Sequence, residues 1–130
     1  MLPIKLLSVL AVVVLSGCMT PPTVSSRPNA YLPVFDGKFR AADEALMVDC
    51  IFDGFLDSQT APGSTLVGQL RRANGYRVTL TYGPTQFLDA EIRRDGELVV
   101  KRLENTTFFN IEKELIVAKD CLAKYAAPAN

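Results

Sequence analysis

Histidine and tryptophan are absent from this 130-residue chain. Without histidine, no imidazole is present to act as base, acid, nucleophile partner or zinc ligand. Serines remain as candidate nucleophiles, yet no Gly-x-Ser-x-Gly or Ser-x-x-Lys arrangement sets one beside a base. Hydrolysis by paired carboxylates needs two acids roughly 5–10 Å apart across a cleft, and one small domain has little material for such a groove. The sequence therefore reads as non-enzymatic, with no cofactor. An excess of charge is also missing: Lys plus Arg and Asp plus Glu number 14 each. Balanced charge of this kind attracts neither nucleic acid nor anionic lipid strongly, so no nucleic-acid partner is expected. Only three cysteines occur, none in Cys-x-x-Cys spacing, which argues against a metal site. Gly63-Ser64-Thr65-Leu66-Val67-Gly68 has the glycine spacing of a phosphate loop. Gln69 and Leu70 stand where Lys and Ser or Thr must reach phosphate and metal, which excludes a nucleotide site.

A long hydrophobic run is lacking too. Lys5 precedes an apolar core from Leu6 to Leu15, interrupted only by Ser8. Its length is about half the ~20 residues a spanning helix needs, so it reads as the core of a signal peptide. It closes on Leu15-Ser16-Gly17-Cys18, followed by Met19 and a Pro- and Ser-rich stretch. This tetrapeptide resembles the lipobox of bacterial lipoproteins. The resemblance implies that residues 1–17 are removed, that Cys18 carries lipid, and that the chain is held to a membrane through it. Two or three acyl chains hold essentially for good, at about 0.8 kcal/mol per buried CH₂. By the same pattern Met19 is not the Asp of inner-membrane retention, which implies the outer membrane, facing the periplasm.

Residues 18–33 are rich in proline and serine and read as an extended tether that reaches on the order of 45 Å at about 3.1 Å per residue. The remainder, 34–130, suffices for one domain. With Cys18 assigned to lipid, Cys50 and Cys121 remain as a pair in an oxidising compartment, and a disulfide is expected. Closing a 71-residue separation contributes roughly 4 kcal/mol by chain entropy.

Within that domain the pattern predicts a helix from Phe39 to Leu56. Ala41, Ala45, Val48, Ile51, Phe52 and Phe55 form its apolar face, and Asp53 and Asp57 lie nearly opposite. Asp49, Asp53 and Asp57 recur every four residues, a spacing that costs a few tenths of a kcal/mol per like-charge pair. They are the candidate docking residues for a basic partner. A straight helix does not offer the six or more oxygens of a calcium site.

A strand is expected from Thr65 to Arg72, a turn at Asn74-Gly75, and strands at Tyr76–Tyr82, Gln86–Arg94 and Glu97–Leu103. A two-residue Asp95-Gly96 loop sets Arg94 opposite Glu97, Asp89 opposite Arg102 and Glu91 opposite Val100. That register leaves Lys101 on the apolar face. The final helix is expected from Ile111, with Leu115, Ala118, Leu122 and Tyr125 in one stripe and Asn105, Thr106, Thr107 or Asn110 as its cap.

The expected fold is α+β: three or four antiparallel strands with two helices packed on one face, linked by Cys50–Cys121. The functional expectation is a lipid-anchored binding or assembly module acting on a protein partner of the cell envelope. An inhibitor or exclusion factor directed at an incoming enzyme or phage is the alternative. A small-ligand binder with a pocket near Tyr76, Tyr82, Phe108 and Phe109 is another.

Overall fold

The computed structural model describes residues 23–58 and 65–128. Residues 1–22, with the Leu15-Ser16-Gly17-Cys18 motif, lie outside the described residues. Five strands form one antiparallel sheet: β1 Tyr31–Lys38, β2 Thr65–Arg72, β3 Gly75–Tyr82, β4 Thr85–Arg93 and β5 Glu97–Leu103. Two helices, α1 Glu44–Asp57 and α2 Glu112–Lys124, complete the α+β fold. The order across the sheet is β1-β5-β4-β3-β2, so the N-terminal strand pairs with the last one.

The sheet thus has five strands where three or four were expected. The additional strand, β1, contains Pro33 beside an irregularity in its pairing with β5. Proline cannot donate to the ladder and is confined to edges and bulges, which is where this one sits. The Asp36-Gly37 pair, which reads as a turn, is also in this strand. Gly37 has a packing role: a Cβ there would lie 2.1 Å from Cδ2 of Leu122, so its absence lets α2 approach the strand.

One face of the sheet carries the core. Val78, Leu80, Leu88, Ala90, Ile92, Leu98 and Val100 are fully buried against Met47, Val48, Ile51 and Phe55 of α1 and Ala118 and Cys121 of α2. At about 25 cal/mol per Å², burial of such side chains is the main stabilising contribution. The predicted helical face holds at Val48, Ile51 and Phe55. Helix α1 starts later than Phe39, because residues 41–43 form a 3₁₀ turn, and Ala41 and Ala45 are exposed.

The two helices meet along an antiparallel seam. Cys50 and Cys121 are joined by a disulfide with a Cα–Cα distance of 5.9 Å. One turn further along, a Cβ on Gly54 would lie 2.2 Å from Cγ1 of Val117. Cys50 and Gly54 on α1 thus oppose Cys121 and Val117 on α2, small residues at i and i+4 letting the helices close. The N-cap position of α2 is Ile111, without a side-chain cap, and Asn110, one residue earlier, accepts the first helical N–H, that of Glu112, on its Oδ1 at 2.9 Å.

The β4–β5 register differs by one residue from that expected. Asp89 faces Lys101, Ala90 faces Val100, Glu91 faces Val99 and Leu88 faces Arg102. The connection is a three-residue loop, 94–96, in which the Gly96 N–H returns to the Arg93 carbonyl at 3.1 Å. Gly96 sits at φ +94°, the left-handed position that ends a three-residue hairpin loop. A one-residue shift exchanges faces along a strand. Here it moves Lys101 off the apolar face and Arg102 onto the helix side. The expected Asp89–Arg102 pair does not form.

Residues expected in the 18–33 tether take part in the fold. Val24 is buried with Tyr31 and Leu103 in a second small cluster, and the Val24 N–H donates to Gln86 Oε1 at 3.1 Å. The Tyr31 hydroxyl donates to the Gln86 carbonyl at 2.6 Å.

Candidate functional site

The three predicted docking aspartates all lie in α1 and all are exposed. At 100° per residue, Asp49, Asp53 and Asp57 fall within an arc of about 80°. The structure adds two neighbours that the sequence reading passed over: Leu46 and Leu56, exposed to 49% and 46%, fall in or beside the same arc. Three carboxylates and two leucines therefore share the outward side of a helix whose inward side is locked by core packing and whose flank is locked by the disulfide. Helix α1 is a rigid mount, and the stripe is its free surface. Apolar side chains flanked by charge of one sign suit a partner that has basic groups around an apolar recess. Cys18, the expected lipidation residue, lies outside the described residues.

A second cluster lies on the sheet face opposite the helices. Asp89 is fully buried at its centre. Neither carboxylate oxygen has a hydrogen-bond partner among the described residues. Burial pushes its pKa from 3.8 up to about 6, against the lowering pull of Arg77, Lys101 and Arg72 and with a further rise from Glu91. Beside it, Glu91 accepts from Arg93 Nε at 3.1 Å and lies 3.9 Å from Lys101 Nζ. Arg93 also reaches Glu97 at 3.1 Å, and its hydrogen bond to Glu91 raises its own pKa. The lysine stranded by the expected register is thereby a member of an ion network. Tyr31 belongs to this face as well, its hydroxyl pushed up to about 12 by burial and by the Asp89 charge.

A third grouping occupies one end of the sheet. Phe109 stacks on Phe87 with centroids 4.3 Å apart, meets Tyr82 edge-on at 5.4 Å and lies 4.5 Å from Phe108. The expected aromatic pocket therefore brings Tyr82, Phe108 and Phe109 together but not Tyr76, which sits at the other end of β3 opposite Ile92. Arg102 fastens this region: its Nη2 donates to the carbonyls of Thr106 and Phe109. The open cleft beside it, about 490 Å³, is lined by Arg102, Thr107, Phe108, Phe109, Ile111 and Leu115 among others. Among the described residues no group of three or more His, Cys, Asp or Glu side chains is placed to hold a metal ion. No helix among them is long and apolar enough to cross a membrane.

No family model matches the chain, and neither a curated protein nor a solved structure matches it. The functional reading therefore rests on these residues alone.

Proposed function

We propose that this protein is a non-enzymatic binding module of the bacterial cell envelope, held to the outer membrane by lipid on Cys18 and docking a basic protein partner through α1. The observation that carries the reading is the outward stripe of Asp49, Asp53, Asp57, Leu46 and Leu56 on a helix fixed from behind by core packing and at its flank by the Cys50–Cys121 bridge. Rigidity matters because a pre-formed surface avoids the ordering cost that a flexible one incurs on binding. The acidic groups steer and orient, while the leucines supply desolvated contact. The lipobox resemblance supplies the location.

The test is crosslinking and affinity capture from intact cells with the native chain and with Asp53→Lys. Because Asp53 is exposed, the substitution should leave the melting temperature nearly unchanged. A partner captured by the native chain should be lost with D53K, and its capture should weaken with salt, which screens exposed charges beyond about 10 Å at 0.1 M. Capture that is indifferent to D53K returns the α1 stripe to solvent.

A further inference from the structure

We infer that the end of the domain formed by the start of β1, the end of β5 and the loop 104–110 rests on the lipid bilayer, so that the anchored domain has a fixed orientation. The inference rests on the lipid-anchor reading of Cys18.

The first support is where the chain leaves the fold. Val24 is buried against Tyr31 and Leu103, and it lies six residue steps after Cys18. At 3.3–3.6 Å per residue, six steps span at most about 20–22 Å in any conformation. A domain of this size has a radius of gyration of about 13 Å. Its Val24 end is therefore held within about 20–22 Å of the anchor, less than the domain's own width, and the reach of about 45 Å expected from a tether ending at Pro33 is not available.

The second support is what that end displays. Leu32 is exposed to 50%, Val34 to 41% and Phe108 to 77%. They are neighbours: Leu32, Val34, Arg102, Leu103 and Thr107 line one cleft, and Arg102, Thr107 and Phe108 line the next. The Glu104 N–H donates to the Ala30 carbonyl, joining the loop to the segment that carries Val24. Tyr82, half exposed, is at the same end, because β3 finishes where β4 begins. An exposed phenylalanine and a tyrosine with its polar tip suit the interface between headgroups and acyl chains. Arg27, exposed and three residues beyond Val24, is available to a headgroup phosphate.

The opposite end is built differently. It gathers Lys38, Arg72, Arg93, Arg94, Asp95 and Glu97 around the turns at 73–74 and 94–96. The exposed Leu32, Val34, Tyr82 and Phe108 are thus at the end from which the chain runs to Cys18, beside Arg102 and Glu104, and the end farthest from it is the more highly charged.

The chain has no tryptophan, so a single introduced indole reports its own surroundings. The mature chain from Cys18, its other two cysteines bridged, is coupled through the Cys18 thiol to maleimide lipid in phosphatidylethanolamine–phosphatidylglycerol vesicles with brominated acyl chains. Phe108→Trp and, as a second position, Leu32→Trp are compared with Asp95→Trp at the far end. The F108W and L32W chains should lose emission to the bromines and shift to the blue, while D95W is quenched only by aqueous iodide. Emission of F108W and L32W equal to that of D95W would overturn the inference. Mass analysis of the native chain tests the anchor separately: an acyl-free Cys18 overturns the anchor reading and this inference with it. An acylated Cys18 with unquenched F108W and L32W overturns the inference alone.

Discussion

Replacing Asp89 by Asn tests the electrostatics of the sheet's helix-free face. Asp89 has no exposed surface and no hydrogen-bond partner among the described residues. Its carboxyl therefore holds a proton more tightly in the folded chain, up to about pH 6, than in the unfolded one, where it titrates near 3.8. Stability depends on pH with the sign of the difference in bound protons. Between about pH 4 and 6 the native state binds more, so this group's contribution is fully present below that window and is lost as pH rises through it. A shift of about two units, at 1.36 kcal/mol each, amounts to about 3 kcal/mol. The buried amide of Asp89→Asn brings an offset of its own, since an unpaired donor costs about 1–3 kcal/mol. That offset does not vary with pH, so the quantity to compare is the change in unfolding free energy between pH 4 and pH 7, from urea titrations at each. Glu114, also raised by burial, contributes equally to both proteins and cancels. Because the unfolded carboxyl, titrating near 3.8, is already partly ionised at pH 4, the D89N chain should lose about 2 kcal/mol less than the wild type on going from pH 4 to pH 7. An identical loss in the two proteins would refute the reasoning and mean that Arg77, Lys101 and Arg72 compensate the buried charge in full.

Two further substitutions probe the helix seam. Replacing Cys50 and Cys121 together by Ala should lower stability by about 4 kcal/mol, the chain-entropy value for a separation of 71 residues, and an unchanged urea midpoint would contradict it. Gly54→Ala should destabilise by roughly 1–3 kcal/mol through overpacking against Val117, although Ala is better than Gly by about 1 kcal/mol in an open helix. The double variant with Val117→Ala should recover most of the loss, and additive costs in thermal melts would show that the helices do not meet there.

Much of the architecture is legible in the residues, and the failures share a physical cause. The disulfide follows from cysteine number and the expected compartment, and α2 from an apolar stripe at helical spacing. The hairpin between β2 and β3 is announced by Asn74-Gly75, although the loop residues are 73 and 74. Strand β1 escapes because an edge strand with Pro33, Asp36 and Gly37 has no alternation to detect: its residues 32–34 are all exposed. The register of β4 against β5 fails on one residue. Asp95-Gly96 looks the same whether it is the whole of a two-residue loop or the tail of a three-residue one. Lys101 was the clue, since a lysine forced onto an apolar face signals the wrong register. In the candidate docking stripe the aspartates are visible as a period of four. Leu46 and Leu56 are not, because an apolar residue on a helix is assigned to the core until the other elements have filled it.

The pairing of β1 with β5 joins Tyr31 to Leu103, and the disulfide joins Cys50 to Cys121. These two closures overlap, each spanning more than half of the chain, and neither can form until its distal member is present. Contacts so distant in sequence form late and slow folding, because loop-closure entropy is spent before they contribute. A chain exported N-terminus first, as the anchor reading requires, has no partner for β1 until residues 97–103 cross and no bridge until Cys121 has followed. On that reading the hairpins β2–β3, β3–β4 and β4–β5 can pair one after another as they cross, while β1 and the bridge close the domain only when nearly the whole of it is on the far side.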